Sequence, residues 1–175
     1  MNFVPYVNPE LCFAIDLPEN WIYEESDGED EEFTGFDFYD PQAQESDPDF
    51  AEFLNIEIYQ EDAAEDVSEI TLDNIYQEFK DSIDWGGDYQ LINEETLEIG
   101  GRNAKRISIK LEEPSINDIN KKEIFLQNVY FLLDEIYVYQ LITTSRAEKQ
   151  ALYEPIFEKM IGSFVILEDT ENQDM

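Results

Sequence analysis

Two pairs of strand-like runs are each separated by no more than four residues, and connections that short join only antiparallel neighbours. Tyr89–Ile99 and Ala104–Leu111 flank Gly100-Gly101, while Ile124–Leu133 and Ile136–Thr143 flank Asp134-Glu135. In the second run Ile107, Ile109 and Leu111 alternate with Arg106, Ser108 and Lys110, the period of a half-buried strand.

The first half reads the same way. Cys12–Leu17 is a short strand closed by Pro18-Glu19-Asn20, and Trp21-Ile22-Tyr23 starts a second. Phe36 and Phe38 mark a third, ended by Asp40-Pro41, and Leu54, Ile56 and Ile58 share one face of a fourth. Between these, Gln42–Asp49 reads as a long loop. The period then changes: Leu72, Ile75, Tyr76, Phe79 and Ile83 predict an amphipathic helix, capped by Ser68 or Thr71 and stopped by Trp85-Gly86-Gly87. A closing helix is predicted from Leu152, Ile156, Phe157, Met160, Ile161 and Phe164. It has a capping box at Ser145-Arg146-Ala147-Glu148 and a kink at Pro155. Four strands, a helix, four strands and a helix make an α+β fold, an antiparallel β-sheet sandwiched by two or more helices. Residues 1–167 are expected to form one domain, and 168–175 a frayed polar tail.

Charge sets the function classes. The chain carries 43 acids against 10 bases, a net charge of −33, and residues 1–79 contain no base at all. Phosphate backbones and anionic membranes should be repelled, so neither nucleic acid nor membrane is an expected partner. A basic or amphipathic protein is. Tight turns make Asp27-Gly28 a two-residue hairpin turn in EESDGEDEEF, setting Glu24 against Glu31, Glu25 against Asp30 and Ser26 against Glu29. Like charges so placed destabilise the pairing. Glu24, Glu25, Asp27, Glu29, Asp30, Glu31 and Glu32 are therefore candidate partner-binding residues. Tyr130, Tyr137 and Tyr139, on adjacent strands, join them as anchors on an open sheet face, or else lie under a helix.

Three local patterns resemble the PsbP/DcrB-like superfamily: FAIDLPENW (Phe13–Trp21), LEIGGRNAKRISI (Leu97–Ile109) and IFEKMIGSF (Ile156–Phe164). Together they span roughly residues 12–167 and are packing patterns, none of them a catalytic signature. The resemblance implies an antiparallel sheet between helices used as a binding platform, and no site residue carries over from it.

The catalytic inventory is thin. With no His, the usual general base, zinc ligand and nucleophile partner are all missing. Cys12, the single cysteine, has an apolar setting and is expected to be a buried, inert thiol without a disulfide. A calcium loop with Gly28 at its sixth position would put Tyr23 first and Thr34 twelfth, which fails. A weak calcium site outside that motif is an alternative. Arg102, Lys105, Arg106, Lys110, Lys121 and Lys122 are expected to balance internal acids, the alternative being an anion patch. The N-terminus shows neither a basic n-region nor an apolar h-region, so a cytoplasmic location is expected. The chain thus reads as a non-catalytic, acidic protein-binding module of chaperone, adaptor or immunity type. A nucleic-acid-mimicking inhibitor and a calcium-binding accessory protein are the alternatives.

Overall fold

The computed structural model describes residues 1–27, 33–46, 52–61, 70–115, 118 and 120–168. In chain order the first elements are β1 (Phe3–Asn8), β2 (Phe13–Pro18), β3 (Ile22–Asp27), β4 (Phe33–Tyr39), α1 (Pro41–Ser46), β5 (Phe53–Gln60) and α2 (Leu72–Ser82). There follow β6 (Tyr89–Ile99), β7 (Arg102–Pro114), β8 (Lys122–Asp134), β9 (Tyr137–Arg146), α3 (Gln150–Ser163) and β10 (Val165–Ile166). Seven strands form one antiparallel sheet in the order β3-β4-β5-β9-β8-β7-β6, and β1-β2-β10 form a second, smaller one. This is the α+β sandwich that the sequence predicts.

Each face of the large sheet has its own core. On one, Phe36, Leu54, Ile56 and Leu141 pack under the small sheet and α3, with Phe13, Phe157 and Phe164 descending from above. On the other, Ile107, Ile109, Val129 and Phe131 pack against Ile75 and Tyr76 of α2. The alternation of β7 is what serves both faces: its odd residues meet α2, while its even ones turn toward α3.

Three elements escape the sequence reading, each for a local reason. Pro5 argues against a strand at Phe3–Asn8, yet β1 lies at the edge of its sheet, where a missing N–H costs nothing. Asp40-Pro41, read as the end of a strand, also starts α1: the Asp40 carboxylate accepts from the Gln42 amide at 2.9 Å, with proline at the first helical position. The expected loop from Gln42 is thus helical as far as Ser46. β10 is two residues long and pairs with Phe13 and Ala14.

The helix ends divide. Thr71 caps α2, its hydroxyl accepting from the Asn74 amide at 3.2 Å, and Ile83 closes it. The expected capping box at Ser145 is not there. β9 stays paired with β8 as far as Arg146, so Ser145 is held in the ladder opposite Leu126 and is only 5% exposed. A 3-10 turn, Ala147–Lys149, then leads into α3 without any side-chain cap. Helix α3 runs through Pro155 to Ser163, and Tyr153 replaces Leu152 in its buried stripe, leaving Leu152 exposed. Cys12 is half-buried, a correction to the buried thiol expected: its backbone takes φ of 53° in the β1–β2 connection, and its Sγ lies 3.7 Å from the Pro9 carbonyl.

Gly100 and Gly101 close the β6–β7 hairpin with Ile99 opposite Arg102 and positive φ at both, 57° and 78°, as a tight primed turn requires. A Cβ on Gly100 would stand 2.6 Å from the Phe164 carbonyl oxygen, whereas one on Gly101 would meet nothing. Gly100→Ala is expected to cost upward of about 2 kcal/mol, and Gly101→Ala only the backbone share of about 1 kcal/mol. Urea unfolding of the two variants side by side checks this.

Candidate functional site

The alternation on β7, β8 and β9 places three cross-strand rows on the face toward α3. Arg106, Tyr130 and Leu141 form one row; Ser108, Asn128 and Thr143 the next; Lys110, Leu126 and Ser145 the third. The first row borders the aromatic core. The second is wholly polar, next to a stretch of the same face that is apolar from Tyr130 and Leu141 across to Phe36 and Phe38. Nothing apolar can pack onto it without stranding its hydrogen-bonding groups, and a groove of about 350 Å³ opens there between the sheet and α3.

Its floor is built of neutral donors and acceptors. Ser108 donates its hydroxyl to Asn128 Oδ1 at 2.6 Å. Thr143 and Ser145, 2% and 5% exposed, also line the groove, and among the described residues neither hydroxyl takes part in a hydrogen bond. At one end Arg106 holds Glu95 at 3.0 Å and lies beside the buried Tyr130, whose phenol is pushed above its usual range chiefly by burial. The rim is formed by Glu154 and Glu158, one turn apart on α3, together with Phe157 between them and Ile92 on β6. Both rim glutamates are exposed, and neither is ion-paired among the described residues.

Of the three tyrosines proposed from sequence, only Tyr130 reaches this groove. All three do share one sheet face, as their register shows, but that face is covered. Tyr139 is buried and donates its hydroxyl to the Leu11 carbonyl at 3.0 Å. Tyr137, near the β8–β9 turn, is the one left open.

The basic residues are matched to acids. Arg102 meets Asp134 at 2.7 Å, Lys105 meets Asp73 at 2.7 Å and Lys110 meets Glu112 at 2.8 Å. Lys122 lies between Asp88 and Glu112, and Lys121 faces Asp118 at 3.9 Å. Internal compensation accounts for the cluster.

The acidic hairpin has a different register from the one expected. Glu24 faces Asp37, Glu25 faces Phe36 and Asp27 faces Thr34, so Asp27-Gly28 is not a two-residue turn. The reason lies in the core: this register sets Tyr23 opposite Phe38, with their rings 6.0 Å apart. Glu29, Asp30, Glu31 and Glu32 lie outside the described residues, as does the side chain of Asp27. Glu25 is exposed, whereas Glu24 is engaged, accepting from the Tyr39 hydroxyl at 2.6 Å. Next along the sheet, Asn55 donates to Asp37 at 2.9 Å, and Gln140 donates to Glu57 at 3.4 Å.

Glu57 is the strained member of this ladder: burial first, and then the charge of Asp37, raise its carboxyl above the usual range. The folded state therefore holds that proton more tightly than the unfolded chain does. Its contribution to stability declines as pH rises from the unfolded value through the raised folded one. Glu57→Gln is expected to raise the urea midpoint at about pH 7 and leave it unchanged near pH 3.5, where the carboxyl is protonated in both states.

Among the described residues no three Asp, Glu or Cys side chains converge as a metal site requires, and no helix is long and apolar enough to cross a membrane. No known protein family and no curated relative matches the chain. Solved structures do. The cyanobacterial PsbP (CyanoP) of Synechocystis sp. PCC 6803 superposes with a TM-score of 0.59 at 16% identity, over 94% of this chain and 92% of that one. The chain has a PsbP-like fold. The same fold is found in LpqN of Mycobacterium tuberculosis, involved in cell envelope biogenesis (TM-score 0.58, 12% identity, 95% and 86% of the two chains). It is found too in Mog1p, a Ran-binding protein of Saccharomyces cerevisiae (0.55, 9%, 96% and 97%). A Bacteroides thetaiotaomicron protein matches at 0.59 and 16% identity over 95% of this chain, which spans about half (49%) of that protein's length.

At these identities the PsbP-like fold carries no residue assignments, so the groove stands on its own geometry. Sequence reasoning missed Ser108, Asn128, Thr143, Ser145, Glu154 and Glu158 as site residues. One signal was present. Read at period two, β9 runs Tyr139, Leu141, Thr143, Ser145, apolar in its first half and polar in its second, and Asn128 interrupts the matching face of β8.

Proposed function

We propose that this chain is a non-catalytic protein-binding module whose groove takes a segment of a basic or amphipathic partner polypeptide. The observation that carries the reading is the polar row Ser108–Asn128–Thr143 on the α3 side of the sheet. Neutral, partly unsatisfied hydrogen-bonding groups at the floor of an open groove suit a peptide's own donors and acceptors. The rim supplies an apolar contact at Ile92 and negative charge at Glu154 and Glu158. Around it, a net charge of −33 speeds encounter with a basic partner and turns away acidic ones. The Ran-binding activity of Mog1p, on the same fold, supports the protein-interaction class. The cytoplasm is the compartment this reading assumes.

Fluorescence anisotropy with two pools of labelled fifteen-residue peptides, one rich in Lys and Arg and one rich in Asp and Glu, tests the reading. The basic pool is expected to bind and to lose roughly tenfold in affinity between low salt and about 0.5 M salt. Leu126→Trp, which fills the groove, should abolish that binding; Leu152→Trp, on the exposed side of α3, should leave it intact. Binding by Leu126→Trp at full strength would overturn the reading.

A further inference from the structure

The groove has a charge and donor count of its own. Its lining carries one positive group, Arg106, and two negative ones, Glu154 and Glu158, while Glu95 at 3.0 Å neutralises the arginine. Lys110, in the third row, is neutralised likewise by Glu112 at 2.8 Å. What remains uncancelled is negative and lies on the α3 side. Below it are oxygens able to accept: the hydroxyls of Thr143 and Ser145, that of Ser108, which gives only its proton to Asn128, and Asn128 Oδ1, which uses one of its two lone pairs on Ser108. Phe157 and Leu126 give the walls apolar surface between rim and floor.

We propose that the groove recognises one lysine side chain of the partner. The ammonium has three N–H donors, and the floor offers an acceptor for each of them. The methylene stem lies along Phe157 and Leu126, as long cationic side chains cover apolar surface elsewhere. Glu154 and Glu158 close over the head. As neighbours at i and i+4 with like charge they repel each other in the free protein, and a cation between them relieves that repulsion. Thr143 is the unusual element: a hydroxyl on a residue 2% exposed, without a partner among the described residues, facing a cavity. A valine there would pack as well and leave nothing unsatisfied, so the hydroxyl points to a ligand donor.

This inference rests on the groove being the docking site, and its test is separate. Amide shifts of the isotope-labelled protein are followed while N-acetyl-lysinamide, N-acetyl-norleucinamide or Nε-acetylated N-acetyl-lysinamide is titrated in. The lysine probe is expected to shift the amides of Asn128, Thr143, Ser145, Glu154, Phe157 and Glu158 in a saturable way. The two uncharged probes should shift them at least tenfold less. Thr143→Val and Glu154→Gln/Glu158→Gln should each weaken the lysine probe several-fold, the second more, while Glu98→Gln/Glu135→Gln, distant acids, should not. Equal shifts from the norleucine probe, or lysine shifts spread evenly over the acidic surface, would overturn the inference and leave the docking reading standing. Failure of the docking reading would show itself instead as peptide binding indifferent to Leu126→Trp.

Discussion

Phe13→Ala is expected to lower unfolding free energy by about 4 kcal/mol, a large part of what a domain of this size possesses. Phe13 is fully buried, and its ring lies 5.7 Å from Phe36 in the large sheet, 5.8 Å from Phe164 at the end of α3 and 5.9 Å from Tyr6 in β1. Its strand also pairs with both β1 and β10. One side chain thus ties the small sheet, the helix and the large sheet together. Alanine would leave a cavity bordered by three elements that cannot all close in on it. Phe13→Leu, keeping most of the volume, should cost less than about 2 kcal/mol. Chemical denaturation of both variants measures the difference, and a Phe13→Ala loss below about 1 kcal/mol would mean that the small sheet is not packed as described.

The second large effect is electrostatic. Glu52 is fully buried, just before β5, and its Oε2 is 3.3 Å from the ammonium of Lys149 at the start of α3. Its other carboxylate oxygen has no partner among the described residues. A buried carboxylate relies on its cation, because so little else there replaces water. Lys149→Ala is expected to cost about 3 kcal/mol by leaving that charge uncompensated. Combining it with Glu52→Gln should recover most of the loss, since the pair itself is worth little compared with breaking it. Thermal melts of the wild type, both single variants and the double variant make the comparison. A double variant as unstable as Lys149→Ala would show that Lys149 acts through something other than Glu52.

The strands of the large sheet were legible in the sequence where period or turn stands out, as in the alternation of β5 and β7. Leu54, Ile56 and Ile58 point one way, Gly100-Gly101 could only be a turn, and Leu72 to Ile83 could only be a helix. Where the sequence misled, a second interaction outweighed a local rule. Ser145 fits a helix cap, but strand pairing with Leu126 keeps it in the ladder. Asp27-Gly28 fits a hairpin turn, but burying Phe36 and Phe38 decides the register. The site was least legible. Ser108, Asn128 and Thr143 are twenty and fifteen residues apart in the chain, and only the pairing of β7, β8 and β9 sets them side by side. The surplus of acids drew attention to Glu24–Glu32, whereas the two acids that frame the groove, Glu154 and Glu158, sit quietly in an ordinary helix.

The most direct test of the central claim, that the groove is where a partner docks, is site-specific photocross-linking. A benzophenone side chain is placed at Ile92 on the groove rim, where it leaves the floor open, at Tyr137 by the β8–β9 turn, or at Leu152 on the outer side of α3. Each variant is irradiated with the labelled basic peptide pool. Docking in the groove predicts adducts from position 92 that disappear when unlabelled basic peptide competes, and only background from 137 and 152. Equal labelling at all three positions, or labelling confined to 137, would contradict it.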